Sequence, residues 1–217
     1  MSFDLDLLVQ WLPRLFRGLW VTLQLFAVIM IISTPLALLV ALGRTSQNRR
    51  VRTAAAVYVN VVRALPILVV LFFTFYGLPA LGYSVQPFTA AVCGMVFCTT
   101  AYLSDDLRAG LMAVPAGQYE AADALGISRA RFVRRILLPQ ALPVMCGPFF
   151  TRAIVTVKAT SIASIVAVSE LTAQSMAALT ETYRATEFLT FAAACYLICS
   201  LVLALLQAAT QRLVAIR

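Results

Sequence analysis

Six ionisable side chains lie inside or at the edge of apolar stretches of this 217-residue sequence: Arg63, Asp105, Asp106, Arg152, Lys158 and Glu170. A charge at the centre of a membrane helix costs about 2.5–3.5 kcal/mol or more, so such groups mark functional positions or ion pairs. Their chemistry is the holding of charge, not the making of bonds. Pairing competes with solute contact for each of them: Asp105 with Arg108 or Arg63, and Lys158 snorkelling or bracing its own segment. Histidine is absent, which excludes a catalytic imidazole and a His-ligated metal. Cys93, Cys98, Cys146, Cys195 and Cys199 are odd in number, lie in apolar runs and form no CxxC pair. They read as small buried hydrophobes rather than ligands or disulfides. Without a GxxxxGK[ST] loop no nucleotide site is expected, and no cofactor is assigned to this chain.

These charges are embedded in an all-α, polytopic membrane bundle. Hydrophobic residues make up 62% of the chain, charged residues 12%, and the mean hydropathy is +0.91, far from the balance of a soluble domain. About 20 residues of helix cross a hydrocarbon core about 30 Å thick. Five spans are expected on this measure: 19–42, 54–76, 88–107, one beginning near Leu142, and 188–211, with a turn-rich stretch at 77–87. The fourth is unusual. Residues 143–169 are apolar overall yet carry Arg152, Thr156, Lys158, Thr160, Ser161 and Ser164 besides Gly147 and Pro148. Lipid cannot satisfy these groups, so the segment is expected to line the bundle interior as a broken helix.

Basic residues collect in three places: Arg44, Arg49, Arg50 and Arg52; Arg129, Arg131, Arg134 and Arg135; and Arg212 with Arg217. With five spans all three fall on one face, which places the N-terminus outside and the C-terminus in the cytoplasm. Arg14 and Arg17 fit less well. Either an amphipathic segment with Trp11, Leu15, Phe16 and Leu19 lies flat on the outer surface, or the N-terminus is inside and a span has been missed. The net charge of +8 follows from topology and lipid headgroups rather than from nucleic acid, since the arginines are not massed with aromatics. Asp4 and Asp6 stand where a signal peptide would be basic, so no cleavable leader is expected.

Residues 114–143 form a polar hairpin in this greasy chain. Tyr119 to Leu125 reads as a short helix with Glu120 in its first turn, near the positive end of the dipole. Ala121, Ala122 and Ala124 keep it thin enough for another backbone to approach. Gly126 supplies the positive φ that ends a helix, and Ser128 is placed to cap the next. In that second helix Phe132, Ile136 and Leu137 share a face, Arg131, Arg134 and Arg135 point elsewhere, and Pro139 and Pro143 stop it. An interfacial hairpin held on anionic lipid is the competing reading, although headgroup binding needs neither the alanines nor the glycine.

Glu120 to Gly126, EAADALG, followed by a basic helix and LPQALP, resembles the EAA loop of ABC-transporter permeases. Other matches narrow the resemblance to the polar amino-acid permeases: Gly18-Leu19, Thr22-Leu23, Arg63-Ala64-Leu65-Pro66, Ala101-Tyr102 with Asp105 and Arg108, VPAGQ at 114–118, Lys158 with Thr160-Ser161, and Glu170-Leu171. The similarity spans nearly the whole chain, which reads as one transmembrane permease domain, 1–217.

The resemblance implies a type I importer of the bacterial inner membrane. Its expected partners are a cytoplasmic ABC ATPase dimer that binds the ATP, a second permease subunit, identical or paralogous, and an external solute-binding protein. Gly117, Glu120, Ala121, Ala122, Leu125 and Gly126 are then the ATPase-coupling residues. An amino acid is a zwitterion, so a site in the pathway would offer both signs, which makes Arg63, Asp105, Lys158, Thr160, Ser161 and Glu170 its candidate residues. Two departures from the family pattern stand out. Lys158-Ala159-Thr160-Ser161 lacks the carboxylate usual beside the lysine, and Ser104-Asp105 replaces Ala-Glu. Another small solute, an opine or organic cation, is the runner-up. A secondary transporter fits less well, because no internal repeat is evident and Asp105 and Asp106 sit near a span end.

Overall fold

The computed structural model describes residues 3–215, with side chains to residue 213; Arg217 lies outside the described residues. Among these every regular element is helical. Helix α1, Leu5–Arg44, is capped by Asp4, whose carboxylate accepts from the Leu7 amide at 3.0 Å. Its 40 residues make it about 60 Å long, roughly twice the hydrocarbon thickness. The expected flat N-terminal helix is therefore replaced by an extension of the first span, which continues through Pro13 and Pro35. The reason is a partner within the chain. Leu15, Leu171, Phe188, Ala192 and Cys195 form one apolar cluster with Trp11 and Leu19 at its edge, and Trp11 meets Phe188 edge-on. Arg14 lies over the Trp11 ring and faces Glu181 at 3.6 Å.

The second expected span is broken. Helix α2, Arg49–Ala64, meets the helical segment Ile67–Ala80, which opens with helix α3, Ile67–Phe72, at an angle of 100°. Pro66 disfavours the helical conformation at the residue before it, and Leu65 is extended at φ −89°, ψ 136°. A π-turn at Phe73–Gly77 and the short α4, Leu78–Ala80, carry the chain to a turn at Gly82, φ +90°. Among the described residues four helices are long and apolar enough to cross a membrane, five when the bent pair is counted as one span.

Helix α5, Pro87–Met112, opens on proline, which suits the first helical turn. It packs against α1, α2 and α3 and is the most enclosed span. After it come α6, Ala116–Ala124, and α7, Arg129–Phe132. Pro139 and Pro143 do not stop the chain here, contrary to the reading of the sequence. A π-turn at Val133–Leu137 widens the helix ahead of Pro139, and α8, Leu138–Ala159, continues through Pro143 and Pro148. One amide-to-carbonyl bond, Leu138 to Val133, has the wider spacing that absorbs a residue without an N–H.

The fourth span does break, as its composition predicts. At Thr160–Val166 it tightens to a 3₁₀ helix and ends on Ala167 at φ 60°. Helices α9, Leu171–Thr182, and α10, Ala185–Ala215, complete the chain. At one end of the bundle the hairpin packs on α1 and α5 through Ala37, Leu103, Leu111, Ala122, Phe132 and Leu137. At the other end Arg184 reaches Asp4 and the buried Glu187.

Candidate functional site

The hairpin is built around its turn. Pro115 precedes α6, which starts at Ala116, so Glu120 falls beyond the first turn and not within it as the sequence suggested. Gly126 has φ +64°; its amide bonds the Asp123 carbonyl at 3.1 Å and the Ile127 amide bonds that of Ala122 at 2.9 Å. This paired pattern satisfies the final carbonyls of α6 and fixes the direction in which the chain leaves. Ser128 stands at the cap position of α7, but its hydroxyl makes no capping bond; the Phe132 amide bonds the Ser128 carbonyl instead.

Ala122 is turned inward, 3% exposed within the apolar cluster. It cannot contribute to a thin outer face, which corrects its expected place beside Ala121. The outward stripe is Gly117, Ala121 and Leu125, four residues apart, flanked by Glu120 and Ala124. Leu125 is 75% exposed, and a Cβ at Gly117 or Gly126 would meet nothing within 4 Å. On the inner side the Tyr119 ring packs on Phe132 with centroids 4.8 Å apart, and the Arg129 guanidinium lies over it at 6.0 Å. Burial raises the Tyr119 phenol, partly offset by Arg129, so it stays protonated at neutral pH.

Behind the hairpin lies a cluster of charges. Asp105 accepts from Arg44 at 2.5 Å through one oxygen and from Arg63 through the other, while Asp106 accepts from the Arg152 Nε at 2.8 Å. The guanidinium groups of Arg63 and Arg152 lie over the Tyr102 ring, 5.7 and 5.0 Å from its centre. Two neighbouring carboxylates thereby join α5 to α1, α2 and α8. Three guanidinium groups face two carboxylates, leaving one positive charge in excess. The Asp105–Arg63 pairing was among the readings of the sequence. An Asp105–Arg108 bond is not formed, and the Arg108 Nε is buried without a partner among the described residues. Sequence reasoning missed Arg44 as a member; its position ending an apolar run was read only as a topology signal.

The remaining predicted pathway residues lie apart. No hydrogen bond or ion pair among the described residues joins Lys158, Thr160, Ser161 or Glu170 to the Arg63–Asp105 pair. Lys158 is exposed on α8. The Thr160 and Ser161 hydroxyls donate to the carbonyls of Val157 and Lys158, at 2.7 Å each. Glu170 is fully buried at the start of α9. Its carboxylate accepts from the Thr172 and Ala173 amides at 2.9 and 2.8 Å, the Tyr196 hydroxyl at 2.7 Å and the Thr22 hydroxyl at 3.3 Å.

Comparison with known proteins gives this geometry a context. Residues 33–216 match the family described as "Binding-protein-dependent transport system inner membrane component". The octopine transport system permease protein of Rhizobium radiobacter is 35% identical over 213 residues, covering 94% of this chain and 87% of the relative. The glutamine transport system permease protein of Escherichia coli (strain K12) is 31% identical over 214 residues, covering 98% of each. A crystal structure of an amino acid ABC transporter with histidines superposes with a TM-score of 0.88 at 31% identity, covering 98% of this chain and 99% of that one.

Proposed function

Since the chain belongs to the family of inner-membrane components of binding-protein-dependent transport systems, we propose that it is the membrane-spanning subunit of an ATP-driven importer for polar amino acids. It hydrolyses nothing itself. Two cytoplasmic ABC ATPases bind the ATP, an external solute-binding protein delivers the solute, and a second permease, identical or paralogous, completes the pathway. The basic end, with Arg44, the hairpin arginines and Arg212, is the cytoplasmic one by the positive-inside rule. This puts the C-terminus in the cytoplasm and the N-terminus outside, in a bacterial inner membrane. Residues 1–217 act as one permease domain with its coupling loop at 114–143.

One observation carries the coupling role: the exposed stripe Gly117, Ala121 and Leu125 is joined through a fixed turn to a helical run that continues from Arg129 through the π-turn to Ala159, ahead of the break at Thr160–Val166. An ATPase closing on that stripe, with Glu120 at its edge, pushes the run along its axis. Displacement reaches α5 through Arg152–Asp106, and α1 and α2 through Asp105 with Arg44 and Arg63. Ala122 acts from inside, by seating the hairpin on the bundle. In the pathway Arg63 and Asp105 offer both signs to a zwitterion, while Lys158 is the exposed cation on α8. Thr160, Ser161 and Glu170 shape the break in the fourth span.

The test is ATP hydrolysis and uptake by the complex in proteoliposomes. Ala121→Trp, on the outer face, is expected to abolish solute-stimulated hydrolysis while the chain still inserts; full coupling in that variant would reject the assignment. An opine is the second reading, favoured by the 35% identity to the octopine permease. Titrating the cognate external protein with amino acids and opines separates the two.

A further inference from the structure

At the end of the bundle opposite the hairpin, one large aromatic side chain is turned away from the chain. Tyr183, between α9 and α10, is 89% exposed and sits at φ 57°, ψ 23°, in the left-handed region. Bulky residues rarely adopt that conformation, and it persists only where the surroundings impose it. Here they do. The Tyr183 amide donates to the Leu179 carbonyl at 2.8 Å and closes α9. The next residue is clamped: Arg184 meets Asp4 at 3.6 Å and Glu187 at 3.2 Å, and the Asp4 amide donates to the same Glu187 oxygen at 3.2 Å. The starts of α1 and α10 and the end of α9 thereby fix the ring in one place. A turn alone would be served by glycine or asparagine; tyrosine adds a ring held outside.

Lipid does not account for that ring. Helix α1 is continuous from Leu5 to Arg44, and Arg14, more than half exposed and paired with Glu181, holds its charge at headgroup depth or above. Asp4 lies ten residues further out, about 15 Å along the helix axis, whereas headgroups add only about 5–7 Å on each side of the hydrocarbon. Tyr183, joined to Asp4 through Arg184, therefore stands in water beyond the membrane surface. A large ring held rigidly in water is suited to anchor a protein partner: tyrosine buries much area with little rotamer entropy to lose, and it is enriched among the residues that dominate interface energetics. Arg14 and Glu181, both more than half exposed, set a polar rim of both signs near it.

We infer, on the importer reading above and the orientation that puts this end outside, that Tyr183 is the anchor on which the external solute-binding protein docks. Its ring enters an apolar pocket of that protein, and Arg14 and Glu181 meet the polar rim. The family consists of binding-protein-dependent systems, and this end is the one such a protein can reach. Helix α9 leads from Tyr183 back to the break at Thr160–Val166, so a protein held there bears on the segment that carries Thr160 and Ser161.

The complex with its ATPase is reconstituted in nanodiscs, and the purified cognate external protein is titrated onto it. Tyr183→Ala should weaken binding about thirtyfold or more, the scale of a dominant interface residue. Tyr183→Phe keeps the ring and should stay within about fivefold of native, the worth of one hydrogen bond. Tyr183→Gly relieves the backbone yet should bind as weakly as Tyr183→Ala; a residue that served only the turn would give native binding with glycine. A benzophenone amino acid in place of Tyr183 should cross-link to the external protein. Cross-links confined to lipid or to a second permease would overturn the inference. Native affinity in Tyr183→Ala or Tyr183→Gly would overturn it while leaving the importer reading intact. A native complex that holds its ATPase but binds no external protein would overturn both. Tyr183 is on the surface, so retention of the ATPase in each variant separates lost docking from lost assembly.

Discussion

Arg44, the last residue of α1, holds Asp105 of α5 at 2.5 Å, and so ties the end of the longest helix to the centre of the bundle. The pair is partly screened: the side chains are 13% and 31% exposed. Its contribution should fall between the 0.2–1 kcal/mol typical of surface pairs and the roughly 3–5 kcal/mol lost on breaking a buried one. Asp105→Asn is expected to cost about 1–2 kcal/mol on this scale. It should also lower uptake in a complex that still assembles, because Arg63 loses the same partner. A double-mutant cycle with Arg44→Gln checks the contact. The two losses should be non-additive by at least about 0.5 kcal/mol, and simple additivity would mean that the pair does not form in the membrane.

Ala121 and Ala122 are neighbours in sequence with opposite exposures, and their variants should fail differently. Trp at position 122 must enter a packed cluster of Phe132, Leu137 and Leu111, and overpacking of this kind costs about 1–3 kcal/mol or more. Ala122→Trp is therefore expected to lower expression and to expose the hairpin to protease. Ala121→Trp should leave both unchanged and lose only ATPase binding. Limited proteolysis beside a pull-down of the ATPase separates them; matching behaviour would contradict the assigned faces.

This contrast shows what could be read from residues and what could not. The spans were legible because hydropathy is a local property, and the hairpin turn because Gly126 supplies a conformation that other residues adopt only with strain. The bend at Leu65–Pro66 was written in the proline, yet the apolar run around it concealed the break. The orientation of Ala122 was not legible, since it depends on Phe132 and Leu137 arriving from the next helix. For the same reason Trp11 and Leu15 looked like a membrane-surface stripe until α9 and α10 supplied their partner. The four donors on Glu170 come partly from residues 148 and 26 positions away, a separation that no local pattern encodes.

Leu125 is the largest apolar group on the outward face of the hairpin, and it stabilises nothing within the chain. Leu125→Ser should leave folding within about 0.5 kcal/mol of the native chain, as for surface substitutions generally. Loss of a buried leucine contact at an interface costs about 1.5–3 kcal/mol, so ATPase affinity should fall at least about tenfold. Titration of the purified ATPase onto the permease in nanodiscs measures this. An unchanged affinity would show that the docking face lies elsewhere on the hairpin.

Glu170 provides the sharpest separation of structure from transport. Its carboxylate accepts two backbone amides and two hydroxyls, and the Leu171 amide bonds Thr22 beside it at 3.1 Å. Close approach of α1 is needed for this, and Gly18 provides it: a Cβ there would lie 3.0 Å from the Leu171 Cα. Gln at position 170 keeps the shape but offers one acceptor oxygen and turns an NH₂ toward donors. Leaving buried donors unsatisfied costs about 1–3 kcal/mol, so Glu170→Gln should destabilise the chain, as should Gly18→Ala by separating the helices. Tyr196→Phe removes a single donor and should cost about 1 kcal/mol. If Glu170 only anchors α9, all three variants should lose assembled complex in order of their instability, while uptake per assembled complex stays near the native value. A Glu170→Gln variant that assembles fully but transports poorly would instead make this carboxylate a group that meets the solute.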